Sequence, residues 1–231
     1  MSPAGSGADR GLFITIEGPE GGGKTTQVEL LRDHLVARNV PVELTREPGG
    51  TWLGERIRDV LLARTDAAAS ATDPVSDALL FNAARRQLVE EVIRPALASG
   101  TTVISGRFAD STLAYQGYGA GVALDDLRDL AAIATNGLMP DLTILLDLPV
   151  EVGLARKAPG DITRFEAEFD LDFHRRVRAG FLAIAASEPE RFLMVDATRG
   201  VESIASAIVS CVDARYRTTS EPDPRVSRTN S

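Results

Sequence analysis

The chain of 231 residues predicts an α/β domain: a five-stranded parallel sheet with helices on both faces. Three observations lead there. Short apolar runs with β-branched cores are separated by segments whose apolar residues recur at helical spacing. The runs show little period-2 alternation, as expected of strands covered on both sides. No internal repeat divides the chain.

Leu12 to Glu17 ("LFITIE") is the first predicted strand, and Thr25 to Arg38 the first helix, with Val28, Leu31 and Leu35 on one face. Pro41 to Thr45 reads as a second strand. Helical patterns follow from Thr51 to Arg64 and from Asp77 to Ala98, the latter closing near Gly100. A strand opens at Thr101 and stops on Ser105-Gly106-Arg107. Leu124 to Asn136 is helical, Asp141 to Leu148 and Arg191 to Val195 are strands, and Ser203 to Tyr216 is a closing helix. Residues 1–10 and 217–231 are polar, with Pro and Ser, and are expected to be disordered. Residues 11–216 form a single domain.

Composition narrows the partners. A net charge of −8 argues against nucleic acid or an anionic membrane, because binding to phosphate backbones needs clustered positive charge. No apolar run approaches the ~18 residues of a membrane span. The lone Cys211 excludes an internal disulfide and fits a reducing compartment, and the start of the chain lacks a signal-peptide pattern, so a cytoplasmic protein is expected. Of 25 basic residues only Lys24 and Lys157 are lysines, which draws attention to both. His34 and His174 sit on helical stretches without metal-ligand partners and read as surface or capping residues.

The most informative stretch is Gly18-Pro19-Glu20-Gly21-Gly22-Gly23-Lys24-Thr25 followed by Thr26. It satisfies G-x-x-x-x-G-K-[ST], follows a predicted strand and opens a predicted helix. Glycines there let successive N–H groups turn inward, and the helix start favours an anion. Lys24 would reach the terminal phosphates of ATP and Thr25 would ligate Mg2+. A chain handling nucleotide phosphates would also place a carboxylate near the end of the Thr101 strand, yet Gly106 stands there. Three further segments supply material for a second nucleotide. Arg46 and Glu47 precede a Pro48-Gly-Gly turn and a helix carrying Arg58; Phe81 and Arg85 lie one helical turn apart; Arg107 is followed by Ser111, Thr112, Tyr115 and Gln116. An arginine group suits a phosphate, and an aromatic ring suits a base.

Together the segments "FITIEGPEGGGKTTQ", "TREPGGT", "LLFNAARRQLVEEVIRPAL", "RFADSTLAYQG", "PDLTILLDLPVEVGLAR" and "RFEAEFDLDF" resemble the thymidylate kinases in order and spacing, over about residues 11–212. The resemblance implies a P-loop nucleoside monophosphate kinase fold with a mobile lid at about 156–166, usually homodimeric, transferring phosphate from ATP to dTMP. It implies that Phe81 stacks on thymine, that Arg85 meets its O4, and that Thr112 and Gln116 lie near the base. Tyr115 would sit beneath the sugar, disfavouring a 2′-hydroxyl. Arg46, Arg58 and Arg107 would hold the acceptor phosphate, with Glu20 and Glu47 near sugar and metal. No arginine stands inside the phosphate loop, so the chain resembles the bacterial type, whose lid supplies one: Arg156 or Arg164.

Two positions depart from the family pattern. Gly106 replaces an acid and Thr163 replaces a lid aspartate. Glu20, Glu47 and Asp110 are the candidate substitutes for the first. Gly106 also leaves open a modified pyrimidine deoxynucleotide as acceptor, or a homologue impaired in catalysis.

Overall fold

The computed structural model describes residues 10–63, 72–157 and 163–220. The remaining positions lie outside the described residues, among them most of both stretches expected to be disordered and the centre of the expected lid. The five strands are β1 (Phe13–Glu17), β2 (Val42–Arg46), β3 (Thr102–Gly106), β4 (Leu142–Asp147) and β5 (Phe192–Asp196). All pair in parallel, in the order β2-β3-β1-β4-β5. The helices are α1 (Lys24–Ala37), α2 (Trp52–Leu62), α3 (Pro74–Leu88), α4 (Arg94–Ala98), α5 (Ala109–Thr112), α6 (Leu124–Thr135), α7 (Val150–Ala155), α8 (Arg164–Glu168), α9 (Leu171–Ser187) and α10 (Val201–Ser220). The expected sheet is therefore present, each strand within a residue or two of its predicted bounds.

Successive side chains of β1 go to opposite faces, which divides the core. Ile14 and Ile16 pack with Leu31 and Leu35 of α1 and Ile208 and Val212 of α10. Phe13 packs on the other face with Leu88, Ile93, Leu97 and Phe108. Thr15 shares that second face, and its hydroxyl meets that of Thr143 at 2.8 Å. Arg191 donates to Thr143 Oγ1 at 2.7 Å and grips both oxygens of Asp110 at 2.7 and 2.9 Å. A polar seam thus crosses the middle of an otherwise apolar layer with its donors and acceptors matched.

Several elements differ from the sequence expectation. The helix expected from Asp77 to Ala98 begins at Pro74, because Asp73 accepts from the Ser76 amide at 3.0 Å and Pro74 suits a first helical turn. It does not run unbroken: a π-helical stretch (Val89–Ile93) precedes α4. Pro95 has no N–H to offer the preceding turn, and the wider turns just upstream absorb it. A second π-helical stretch, Leu113–Gly119, continues α5. Against it lies α9, whose Phe173, Val177, Phe181 and Ile184 are buried. His174 is buried with them, edge-on to Phe173 at 5.4 Å, and so is not the surface residue expected. His34, on α1, meets Asp213 of α10 at 3.0 Å. The last helix continues to Ser220, four residues into the stretch read as a disordered tail. Among the described residues, no helix is long and apolar enough to cross a membrane.

Candidate active site

Parallel pairing brings the C-terminal ends of β1, β2 and β3 side by side: Ile16 registers with Gly106, and Gly106 with Arg46. A cavity of about 450 Å³ opens over this edge. Every acceptor-site residue named from the sequence lines it, from Glu20 and Arg46 through Phe81 and Arg85 to Gln116, together with Lys24, Thr25 and Lys157. The segments are far apart in sequence, and the sheet alone assembles them.

The Gly18–Thr25 loop leaves β1 and enters α1. Gly21 has φ of 70°, and a Cβ there would stand 1.9 Å from the carbonyl oxygen of Gly153 on α7. Backbone therefore packs on backbone, and only glycine fits. Gly23 caps α1 without a side-chain bond, so the first N–H groups of the helix stay available to an anion. Lys24 donates to the carbonyls of Gly18 and Pro19, at 2.9 and 2.7 Å, which keeps its ammonium over the loop. Burial and the nearby Arg107 push its pKa down to about 7, against the pull of Glu20 and Glu17. An incoming phosphate would add a compensating negative charge. Thr25 lies on the cavity wall, while Thr26, one residue on, does not.

Three guanidiniums, of Arg46, Arg58 and Arg107, line the cavity together. Arg46 reaches Glu55 at 3.1 Å and Arg58 donates to the Pro48 carbonyl at 2.9 Å. Partial burial depresses the basicity of Arg58, and repulsion from Arg46 and Arg107 adds to it. A dianionic group placed among them would relieve that repulsion. Arg107 donates to Glu20 at 2.6 Å, to Ser111 Oγ at 3.0 Å and to the Tyr115 hydroxyl at 3.2 Å. Tyr115 in turn donates to Glu20 at 2.8 Å. Burial alone would raise the pKa of Glu20, but Arg107, Lys24 and Lys157 outweigh it and hold the carboxyl well below its usual range.

The inner wall is aromatic. Tyr115 stands edge-on to Phe165, Phe173 and Phe181, with ring centroids 5.7 to 6.3 Å apart, and Phe81 faces Phe165 at 6.2 Å. Arg85 is 1% exposed and bound on several sides: to Glu47 at 2.7 and 2.9 Å, to Asn82 at 2.7 Å, to Thr112 at 3.0 Å and to the Phe108 carbonyl at 3.2 Å. A flat base entering beside Phe81 would meet Gln116, Thr112 and the guanidinium edge of Arg85.

The two arginines expected of the lid separate. Arg156 is exposed beside the phosphate loop, donating to the Ala197 carbonyl at 2.9 Å and reaching the Gly21 carbonyl at 3.4 Å. Arg164 is not brought to the loop. It is 2% exposed, donates to Leu61 O at 3.0 Å and pairs with the buried Asp77 at 2.8 Å. Leaving that pair would strand a buried carboxylate, at a cost of about 3–5 kcal/mol.

The acids sought in place of Gly106 are largely engaged. Asp110 is held by Arg191 and Glu47 by Arg85; Glu20 alone faces the lysines. Gly106 itself is under no backbone constraint. It is absent from the left-handed positions, and a Cβ would make only ordinary contacts with Arg46 Cβ at 3.8 Å and Thr45 O at 4.0 Å. Sequence reasoning passed over Glu17. It is 0% exposed at the end of β1 and accepts from the Phe108 amide at 2.7 Å and the Ser111 hydroxyl at 2.6 Å. The signal was a charged residue closing an apolar buried strand. Arg107 was named, but not its backbone: φ is 74°, a left-handed geometry that costs a non-glycine residue about 1 kcal/mol or more.

The donor set suits a hard cation. Thr25 and Glu20 bring a hydroxyl and a carboxylate to the cavity wall at the loop, and among the described residues no cluster of three or more His, Cys, Asp or Glu forms an all-protein cage. Mg2+ characteristically takes one or two protein oxygens and completes its shell with phosphate and water.

The comparisons agree with this geometry. The family model described as thymidylate kinase matches residues 16–208. The thymidylate kinase of Deinococcus radiodurans is 52% identical over 207 residues, covering 89% of this chain and 98% of its own. That of Thermomicrobium roseum is 54% identical over 202 residues, covering 87% and 93%. The crystal structure of thymidylate kinase from Ehrlichia chaffeensis superposes with a TM-score of 0.70 at 33% identity, covering 88% of this chain and 99% of that one. With the phosphate loop, the three-arginine cluster and the aromatic wall in one cavity, these matches settle the assignment: the chain belongs to the thymidylate kinase family.

Proposed function

We propose that this nucleoside monophosphate kinase transfers the terminal phosphoryl group of ATP to dTMP, giving dTDP. One observation carries the reading: a single cavity of about 450 Å³ joins Lys24 and Thr25 to the Arg46/Arg58/Arg107 cluster and to the Phe81 wall. Donor and acceptor phosphates would meet above Glu20. Positioning and charge cancellation dominate phosphoryl transfer, and the chain is equipped for both. Lys24 and the start of α1 would hold the donor's terminal phosphates, and the arginine cluster would hold the acceptor's. Phe81, Arg85, Thr112 and Gln116 would orient the base, and Tyr115 would fill the space a 2′-hydroxyl needs. Thr25, with Glu20 nearby, would hold Mg2+, which neutralises phosphate charge when bound.

Arg156 is our candidate for the group that approaches the transferred phosphoryl, since it already lies against the loop and its present bonds are to carbonyls at the surface. Arg164 serves the packing of α8. The reading includes a cytoplasmic location, which the single free Cys211 fits. It also includes a homodimer, supported by exposed apolar side chains on α2 and α3: Trp52, Val60, Val75 and Leu79 are 79%, 66%, 45% and 51% exposed.

Four measurements test this. ADP formation with Mg-ATP should be highest with dTMP among dTMP, dUMP, UMP and CMP; a preference for any other acceptor overturns the dTMP reading. Arg156→Met should lower kcat by roughly 10²-fold or more while dTMP KM stays within about threefold, and an unchanged kcat removes Arg156 from the chemical step. Gly106→Asp should fold normally and raise turnover or shift the Mg2+ dependence; an inert substitution means that another group already fills that role. Light scattering should give about twice the 24.6 kDa chain mass, falling to one chain mass on Val60→Glu/Leu79→Glu, and a monomeric wild-type chain ends the dimer reading.

A further inference from the structure

We infer that Glu17 is a positioning residue: its buried carboxylate holds the left-handed turn that aims Arg107 at the acceptor phosphate. The inference rests on the reading of Arg107 as an acceptor-phosphate arginine. Glu17 closes β1 on the same face as Phe13 and Thr15, is 0% exposed and does not line the cavity. Both of its oxygens are occupied. Oε1 accepts from the Phe108 amide at 2.7 Å and the Ser111 amide at 3.3 Å, and Oε2 accepts from the Ser111 hydroxyl at 2.6 Å. A carboxylate so enclosed has no free edge for substrate, and its bonds all go to the segment that carries Arg107.

That segment turns sharply at a residue whose side chain makes the turn costly. Glycine at 107 would adopt φ of 74° freely but would bring no guanidinium. Arginine keeps the conformation because each neighbouring polar group is tied. Its amide donates to Ile16 O at 3.0 Å, and its carbonyl accepts from Ser105 Oγ at 2.7 Å. The next residue, Phe108, is gripped from both sides: Glu17 takes its N–H and Arg85 donates to its carbonyl at 3.2 Å. Its ring is locked into the core against Phe13, with centroids 4.9 Å apart. Strain at one functional residue is thus sustained by a buried anion one strand away.

Glu17 also works through the side chains. Ser111 Oγ, which donates to Glu17, accepts from Arg107 Nη1 at 3.0 Å, so carboxylate, hydroxyl and guanidinium form one chain. Burial, and the nearby Asp110, lift the Glu17 pKa to about 7, while Arg107 and the bonds from Ser111 and Phe108 favour its charged form.

A double-mutant cycle read by dTMP binding tests this without requiring turnover. Glu17→Ala should weaken dTMP binding about tenfold or more in the wild-type chain, yet less than about twofold when Arg107→Ala is already present. Ser105→Ala, which unties the Arg107 carbonyl from the other side, should show the same dependence on Arg107. Glu17→Gln, which keeps an oxygen for the Phe108 amide, should recover most of the loss, and it replaces Glu17→Ala in the cycle if the latter does not fold. Equal losses in both backgrounds, or no loss at all, overturn the inference. The acceptor assay on the wild-type enzyme tests the dTMP reading separately, so a failed cycle with an active enzyme bears on Glu17 only.

Discussion

Parallel pairing obliges β1, β2 and β3 to end at the same edge of the sheet, and the residues of the candidate site hang from that edge. The register makes this concrete: Ile16, Gly106 and Arg46 are neighbours across three strands although up to 90 positions separate them in sequence. The phosphate loop, the Pro48 turn and the Arg107 turn are then unavoidably adjacent. A ligand bound there touches three crossover connections at once, as ligands of open α/β sheets generally do.

Charge at this edge is arranged in two layers. The outer layer faces the cavity: Lys24, Lys157, Arg46, Arg58 and Arg107, with the Glu20 carboxylate bonded to Arg107. The inner layer is buried and consists of pairs, Arg164 with Asp77 and Arg191 with Asp110, while the buried pair of Arg85 with Glu47 stands on the cavity wall itself. Buried pairs of this kind contribute little net stability compared with apolar packing, but each is costly to break, so they fix the backbone on which the outer layer stands. The outer layer is rich in positive charge and suits an incoming polyanion, while the chain as a whole is acidic.

Much of the fold was legible because buried parallel strands write themselves as apolar β-branched runs. Likewise, the phosphate loop falls in a motif whose spacing and strand-to-helix context imply its role, whereas the arginines and Phe81 were placed only through the family resemblance. What stayed hidden depends on contacts between segments. Nothing in "TRFEAEF" distinguishes an arginine poised over phosphate from one buried against Asp77, because the partner lies 87 residues away. The π-helical stretches were invisible for a similar reason, since they answer to Pro95 and to the packing of α9 rather than to a periodic pattern. His174 looked like a surface residue because a histidine on an amphipathic helix gives no sign of which face it occupies. Glu17 was not legible because its partners, Phe108 and Ser111, lie more than 90 residues away and only the sheet brings them to it.

The scarcity of lysine has a practical consequence. Lys24 and Lys157 are the only lysines in the chain, and both line the cavity over the sheet edge. Burial brings the pKa of the Lys24 amine down to about 7. Amine-directed reagents, which scatter over the surface of most proteins, would here have two side-chain targets, both on the wall of that cavity. Covalent acylation of this enzyme would therefore report the occupancy of that cavity.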